Sequence, residues 1–177
     1  MAEGLQYYRC VGSPEVLAAV QPGSEGRMID SPDDFAGWLA TRSKDELAEP
    51  FTFVIGVNGV LRLAPRCSEH VACAGGAPAL SAGEITFVHD QGRWAVSEIS
   101  NQLTGYCPDL TSWPAVLAAL NRAGLDHPGC FTCPVIFRRC PQCHERNVVK
   151  DDHYVCAICG GELPRAWNFS QLPGRCD

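Results

Sequence analysis

From Phe51 to Ala64 the chain reads FTFVIGVNGVLRLA, two apolar, β-rich stretches on either side of Asn58-Gly59. Asn-Gly suits a type I′ turn, so the pattern predicts a β-hairpin with a two-residue loop. That register sets Val57 opposite Val60 and Ile55 opposite Arg62, and turns Val54, Leu61 and Leu63 to the other face. Apolar residues on both faces predict a central hairpin covered on each side. A second alternation, EITFVHDQGRWAVSEI at 84–99, predicts a half-buried hairpin turning at Gln91-Gly92. Ile85, Phe87, His89, Trp94 and Val96 then share one face, with Thr86, Asp90, Arg93 and Ser97 on the other. Asp90 stands opposite Arg93 as a cross-strand ion pair, and His89 opposite Trp94 as a half-buried histidine.

Three short helices are expected: the last follows Thr111-Ser112-Trp113-Pro114 and runs AVLAALNRA, and the two before it share one start, Ser13-Pro14-Glu15 before VLAAV and Ser31-Pro32-Asp33-Asp34 before FAGWLA. Serine caps free amides, proline fits the first helical position, and carboxylates suit the positive end of the helix dipole. Gly124 is placed to stop the third helix, whose apolar face is Val116, Leu117 and Leu120. Trp38, Trp113 and Trp167 read as core aromatics. After His127-Pro128-Gly129 the composition turns cysteine-rich. The expected fold class is therefore α+β, mainly antiparallel sheet with three short helices. Residues 1–127 form the main domain and 128–177 a small cysteine-rich one.

Composition adds little to that picture and removes several alternatives. With 46% hydrophobic and 19% charged residues in 177, the chain is expected to be globular rather than disordered. No apolar run approaches the length of a membrane helix, and MAEGLQYYRC lacks the order of a secretory signal, so a cytoplasmic setting is expected. A net charge of −6 lowers the expectation of nucleic-acid binding. Arg138, Arg139, Arg146, Lys150 and Arg165 nonetheless cluster around the cysteines; a solvated ribbon surface is the favoured reading, and contact with an acidic partner or nucleic acid the alternative.

Eleven cysteines in a chain without an export signal point to thiolates and metal before disulfides. Cys140-Pro-Gln-Cys143, twelve residues, then Cys156-Ala-Ile-Cys159 has the spacing of a zinc ribbon, two knuckles giving four thiolates to one tetrahedral zinc ion. Gly160-Gly161 lets the backbone turn its amides toward the sulfurs. The competing readings are a redox dithiol and a site in which His144 or His153 replaces a cysteine. Four thiolates leave no open position for water, so this ion is expected to be structural. Cys130-Phe-Thr-Cys133 could join Cys67 and Cys73 in a second metal site, but buried thiols are the favoured reading. Cys10, Cys107 and Cys176 carry no spacing argument.

The remaining polar positions gather in residues 66–108, RCSEHVACAGGAPALSAGEITFVHDQGRWAVSEISNQLTGYCP. A Ser/His element is followed by a small-residue turn with Ala-Gly-Glu, a hairpin, and a closing Gly-Tyr-x-Pro. This order resembles a module of plant calmodulin-binding IQ-motif proteins and of some bacterial effector or toxin proteins. Ser68, His70, Ala74, Gly75, Gly76, Ala82, Gly83, Glu84, Gly105, Tyr106 and Pro108 carry the resemblance, about a third of the chain. The Ser/His order differs here, the histidine before the tyrosine is absent, and the IQ helix has no counterpart. The resemblance thus implies a β-rich binding fold more than an activity.

Ser68, Glu69, His70, Asn101, Thr104 and Tyr106 flank predicted strand ends, where loops present polar groups on a rigid sheet, and form the candidate ligand site. The leading expectation is a zinc-binding adaptor or regulatory protein whose N-terminal domain takes a protein or small-molecule ligand. The alternative is an effector-type hydrolase or transferase centred on His70, with Cys67, Cys73 or a serine as nucleophile. Nucleic-acid recognition by the basic ribbon face ranks third. The competing reading, and the favoured one for His70, is that these polar side chains cap strands and turns.

Overall fold

The computed structural model describes residues 6–11, 26–66 and 76–169. The helix expected after Ser13-Pro14 lies outside them, as do Cys67, Ser68, Glu69, His70 and Cys73. The chain divides into two compact units, Met1–Pro134 and Val135–Asp177, where the sequence reading sets its boundary after His127.

The first unit is built on an antiparallel sheet of five strands: β1 (Arg27–Ile29), β2 (Phe51–Gly56), β3 (Leu61–Pro65), β4 (Ala79–Asp90) and β5 (Arg93–Ser100). Their order across the sheet is β1-β3-β2-β4-β5. Helix α1 (Pro32–Leu39) starts as its sequence directs, with the Ser31 hydroxyl accepting from the Asp34 amide at 3.2 Å. A four-residue helix, α2 (Lys44–Leu47), follows with a complete capping box between Ser43 and Glu46. Helix α3 (Trp113–Arg122) follows a single 3₁₀ turn and buries Ala115, Val116, Ala119 and Leu120, while Leu117 is only half-buried. The core joins Phe35 and Trp38 of α1 to Phe51 and Phe87 of the sheet, with Trp38 and Phe51 centroids 4.7 Å apart. Trp113 packs at the edge of this core, and Trp167, in the second unit, is half-buried against Phe169.

Several local expectations need correction. In the first hairpin Ile55 faces Leu61 and Val54 faces Arg62, one step from the anticipated register. The cause is the loop. Gly59 takes a positive φ of 76° but Asn58 does not, and the Gly56 amide closes on the Val60 carbonyl at 3.0 Å. Three residues turn the chain where a type I′ turn would have used two. Around the second turn Gln91 and Gly92 do have φ of 48° and 80°, and Asp90 pairs with Arg93 in the ladder as expected. Arg93 nevertheless reaches Asp126, at 3.1 Å. His89 is exposed rather than half-buried and lies tilted against Trp94 with ring centroids 5.0 Å apart.

The small-residue stretch before Glu84 is strand, not turn. β4 begins at Ala79, pairs with β2 as far as Ile85, and pairs with β5 from Glu84 onward. At Gly83 a Cβ would lie 1.8 Å from the Ser100 carbonyl oxygen, so only glycine lets β4 pass the end of β5. No described helix is long and apolar enough to cross a membrane.

The second unit carries a two-stranded sheet, β6 (Ile136–Arg139) and β7 (Arg146–Val149). Its small cluster consists of Val149 and Leu163 around Cys140 and Cys156, with Ile136, Cys143 and Tyr154 against it. Asp151 and Asp152, with φ of 50° and 57°, turn the chain so that Lys150 bridges to His153.

Candidate metal centre

Each Cys-x-x-Cys pair sits in the same backbone loop. In the first, the Cys140 amide donates to the Glu145 carbonyl at 2.9 Å, and the His144 amide donates to the Cys140 carbonyl at 3.0 Å. In the second, the Cys156 amide donates to the Gly161 carbonyl at 2.8 Å, and the Gly160 amide to the Cys156 carbonyl at 2.9 Å. His144 and Gly160 hold equivalent corners and both take positive φ, 62° and 74°. Glycine meets that requirement without strain, and histidine tolerates it.

These loops aim amides at sulfur. The amides of Cys143 and Gln142 hydrogen-bond to Cys140, and those of Cys159 and Ile158 to Cys156, while Glu145 serves Cys143 and Gly161 serves Cys159. Buried Asn147 adds a side-chain donor, its Nδ2 lying 3.4 Å from Cys156 Sγ, and its Oδ1 accepts from the Ala157 amide at 2.9 Å. It ties β7 to the second loop.

The four sulfurs lie within 4.8 Å of one another. Cys140 and Cys159 approach to 3.5 Å, and Cys143 and Cys156 to 3.6 Å. A tetrahedral ion with metal–sulfur bonds of about 2.3 Å sets its sulfurs about 3.8 Å apart, so the cage has the size such an ion needs. His144 and His153 are not members of this cluster. The corner role of His144 explains why: its backbone, not its ring, builds the loop.

The thiols respond to the cage unequally. The Cys143 amide and its neighbours lower Cys140, and the Cys159 amide, with Ile158 and Asn147, draws Cys156 down to about 6. The Glu145 amide works to lower Cys143, but burial and the three neighbouring sulfurs outweigh it and push that thiol up to about 12. Cys159 is also raised, its Gly161 amide outweighed by Cys140 and the other contributions. Four crowded thiols cannot all ionise without a cation among them; a bound metal ion would supply that charge.

Arg138 departs from the expected basic surface. It is buried, and its guanidinium donates to the carbonyls of Phe137, Pro164 and Arg165. It clasps the incoming strand to the outgoing segment. Arg165 stacks on Tyr154 at 4.1 Å and pairs with Asp152 at 2.7 Å. Arg146 and Lys150 remain at the surface.

The other predicted site residues are dispersed in role. Asn101 is fully buried and donates to the Pro108 carbonyl at 2.8 Å; Tyr106 is fully buried and its hydroxyl donates to the Ala77 carbonyl at 2.8 Å. Both brace the 101–108 turn, in which Cys107 adopts a φ of 46°. Thr104 is exposed, and its carbonyl accepts from the Cys107 thiol at 3.3 Å. Cys130 and Cys133 are exposed, not buried as favoured, on a segment that Thr132 pins to the Ile99 backbone. Sequence reasoning overlooked Asn147, whose only signal is an asparagine directly before Val148-Val149 in a four-residue strand.

No protein-family model, no curated protein and no solved structure matches this chain, so the likeness of residues 66–108 to the IQ-motif module rests on those residues alone.

Proposed function

We propose that this chain is a zinc-dependent adaptor or regulatory protein. A ribbon formed by residues 135–169 is held by one zinc ion, and the N-terminal sheet carries recognition of a ligand or protein partner. The observation that carries the reading is the closed sulfur cage, with Cys140, Cys143, Cys156 and Cys159 at tetrahedral spacing and every sulfur met by an amide. A full set of thiolate ligands leaves zinc no position for water or substrate, which favours a structural over a catalytic ion. Asn101 and Tyr106, engaged with backbone carbonyls, favour a scaffold role for their turn. Nucleic-acid recognition by the ribbon has weaker support, because Arg138 is committed to internal carbonyls and Arg165 to Asp152.

Metal analysis of freshly reduced protein, combined with X-ray absorption at the zinc edge, tests the proposal. The expected result is about one zinc per chain with four sulfur neighbours at about 2.3 Å. Protein free of zinc yet fully folded, or a nitrogen neighbour in the shell, would overturn it.

A further inference from the structure

A cavity in the N-terminal unit has a volume of about 510 Å³ and opens between α2 and the paired ends of β2 and β3. Its volume lies within the range of small-molecule sites, about 300–1,000 Å³. The floor is apolar, offered by half-buried Pro50 and Pro65 over the buried Phe51, and rigid, because Phe51 pairs with both Pro65 and Ile85 in the sheet. Charge at the mouth is one-sided. Glu46 is balanced by Arg42 at 2.9 Å, and Arg66 by Glu84 at 3.1 Å. Asp45 and Glu49, also on the lining, form no side-chain hydrogen bond or ion pair with any described residue and are exposed. An apolar floor thus stands beneath two uncompensated carboxylates.

We propose that this cavity binds a small organic cation, an apolar body carrying one ammonium or guanidinium group. The body covers the Pro50 and Pro65 surface and the cation lies toward Asp45 and Glu49. Anionic ligands are disfavoured by the same two charges, of which Lys44, the one basic residue of α2, offsets at most one. This site is distinct from the Asn101–Tyr106 turn. It deepens the proposed function, resting on the reading of the N-terminal unit as a binding module, and it is independent of the zinc ion.

The test uses the zinc-loaded full chain and three probes of one shape: 3-phenylpropylammonium, 3-phenylpropanol and 3-phenylpropanoate. Amide shifts are followed by heteronuclear NMR during titration. The expected result is saturable movement of the Asp45–Glu49, Phe51 and Arg66 amides, with affinity falling from cation to alcohol to carboxylate. Asp45→Asn with Glu49→Gln should weaken the cation about threefold to tenfold and leave the alcohol unchanged, the size expected for two exposed ion pairs. Both positions are exposed, so the variant keeps its fold. The proposal is overturned if the alcohol binds as well as the cation, if the double variant leaves the cation's affinity intact, or if these amides do not move. Zinc content measured on the same sample stays at one throughout, which separates failure of this site from failure of the ribbon.

Discussion

Removing the metal should dissolve one unit and spare the other. In the second unit Val149 and Leu163 are the buried non-cysteine members of the cluster, and Phe137 and Phe169 are also buried. Four such side chains stabilise by about 6–12 kcal/mol at about 1.5–3 kcal/mol each, before chain entropy is set against them. A structural zinc in comparable thiolate peptides contributes about 10–16 kcal/mol. The ion is then the largest single contribution, and without it four thiols crowd a space that burial and mutual repulsion make unfavourable. The first unit, with twenty buried residues in one cluster, has no such dependence. Hydrogen exchange read by mass spectrometry, with excess chelator and reductant, makes the comparison. The amides of Cys140, Cys156 and Leu163, which donate to Glu145, Gly161 and Tyr154, should lose protection, while those of Ile55, Leu61 and Ile85 keep it. Zinc should restore the lost protection. If the amides of 135–169 stay protected after the metal is shown to be gone, the assignment of the ion as the unit's main support is wrong.

Four further outcomes follow from named contacts. Asn147→Ala removes a sulfur donor and the latch on Ala157, and competition with a chromophoric chelator should show metal affinity about 10–100-fold weaker. His144→Gly occupies a corner that Gly160 already fills in the other loop, so zinc stoichiometry should be unchanged and stability altered by no more than about 1 kcal/mol; loss of the ion would make His144 a ligand. Gly83→Ala should destabilise by about 3 kcal/mol or more, read as a lower denaturation midpoint, because its Cβ meets backbone that cannot rotate away. The Ser31 hydroxyl and Asp30 amide hold Asp34 below its ordinary 3.8, and the Ser43 amide and hydroxyl hold Glu46 below its ordinary 4.5. Depressed folded values give stability above those ordinary values that is lost as pH falls through the folded ones. The melting advantage of the wild type over Asp34→Asn/Glu46→Gln should therefore be constant near neutrality and vanish in acid.

Legibility in the sequence followed how local the deciding physics was. The caps of α1 and the Gln91-Gly92 turn are short-range matters, settled within four residues, and the structure has them where the pattern put them. The four cysteines were legible because tetrahedral coordination fixes both residue type and spacing. The first hairpin slipped by a residue because two loop geometries suit Asn-Gly and the sheet, not the turn, selects between them. β4 was shortened in the reading because Ala82-Gly83 looks like a turn when the partner that needs a bare backbone, Ser100, is far along the chain. Arg138 and Asn147 were misread or missed for the same reason: their partners, Pro164, Arg165, Cys156 and Ala157, are set by the tertiary fold.

The matched loops around Cys140 and Cys156 also carry a lesson about assembly. Each half alone offers two sulfurs and an identical set of amides, so a peptide spanning only one of them could complete a tetrahedron solely by recruiting a second copy. Its metal affinity would rise with peptide concentration. Joining the halves through β7 and the Asp151-Asp152 turn converts that encounter into an intramolecular one, with an effective concentration on the order of millimolar. The linker is thus as much a determinant of metal capture as the thiols, and shortening or rigidifying it would tune affinity without touching a ligand.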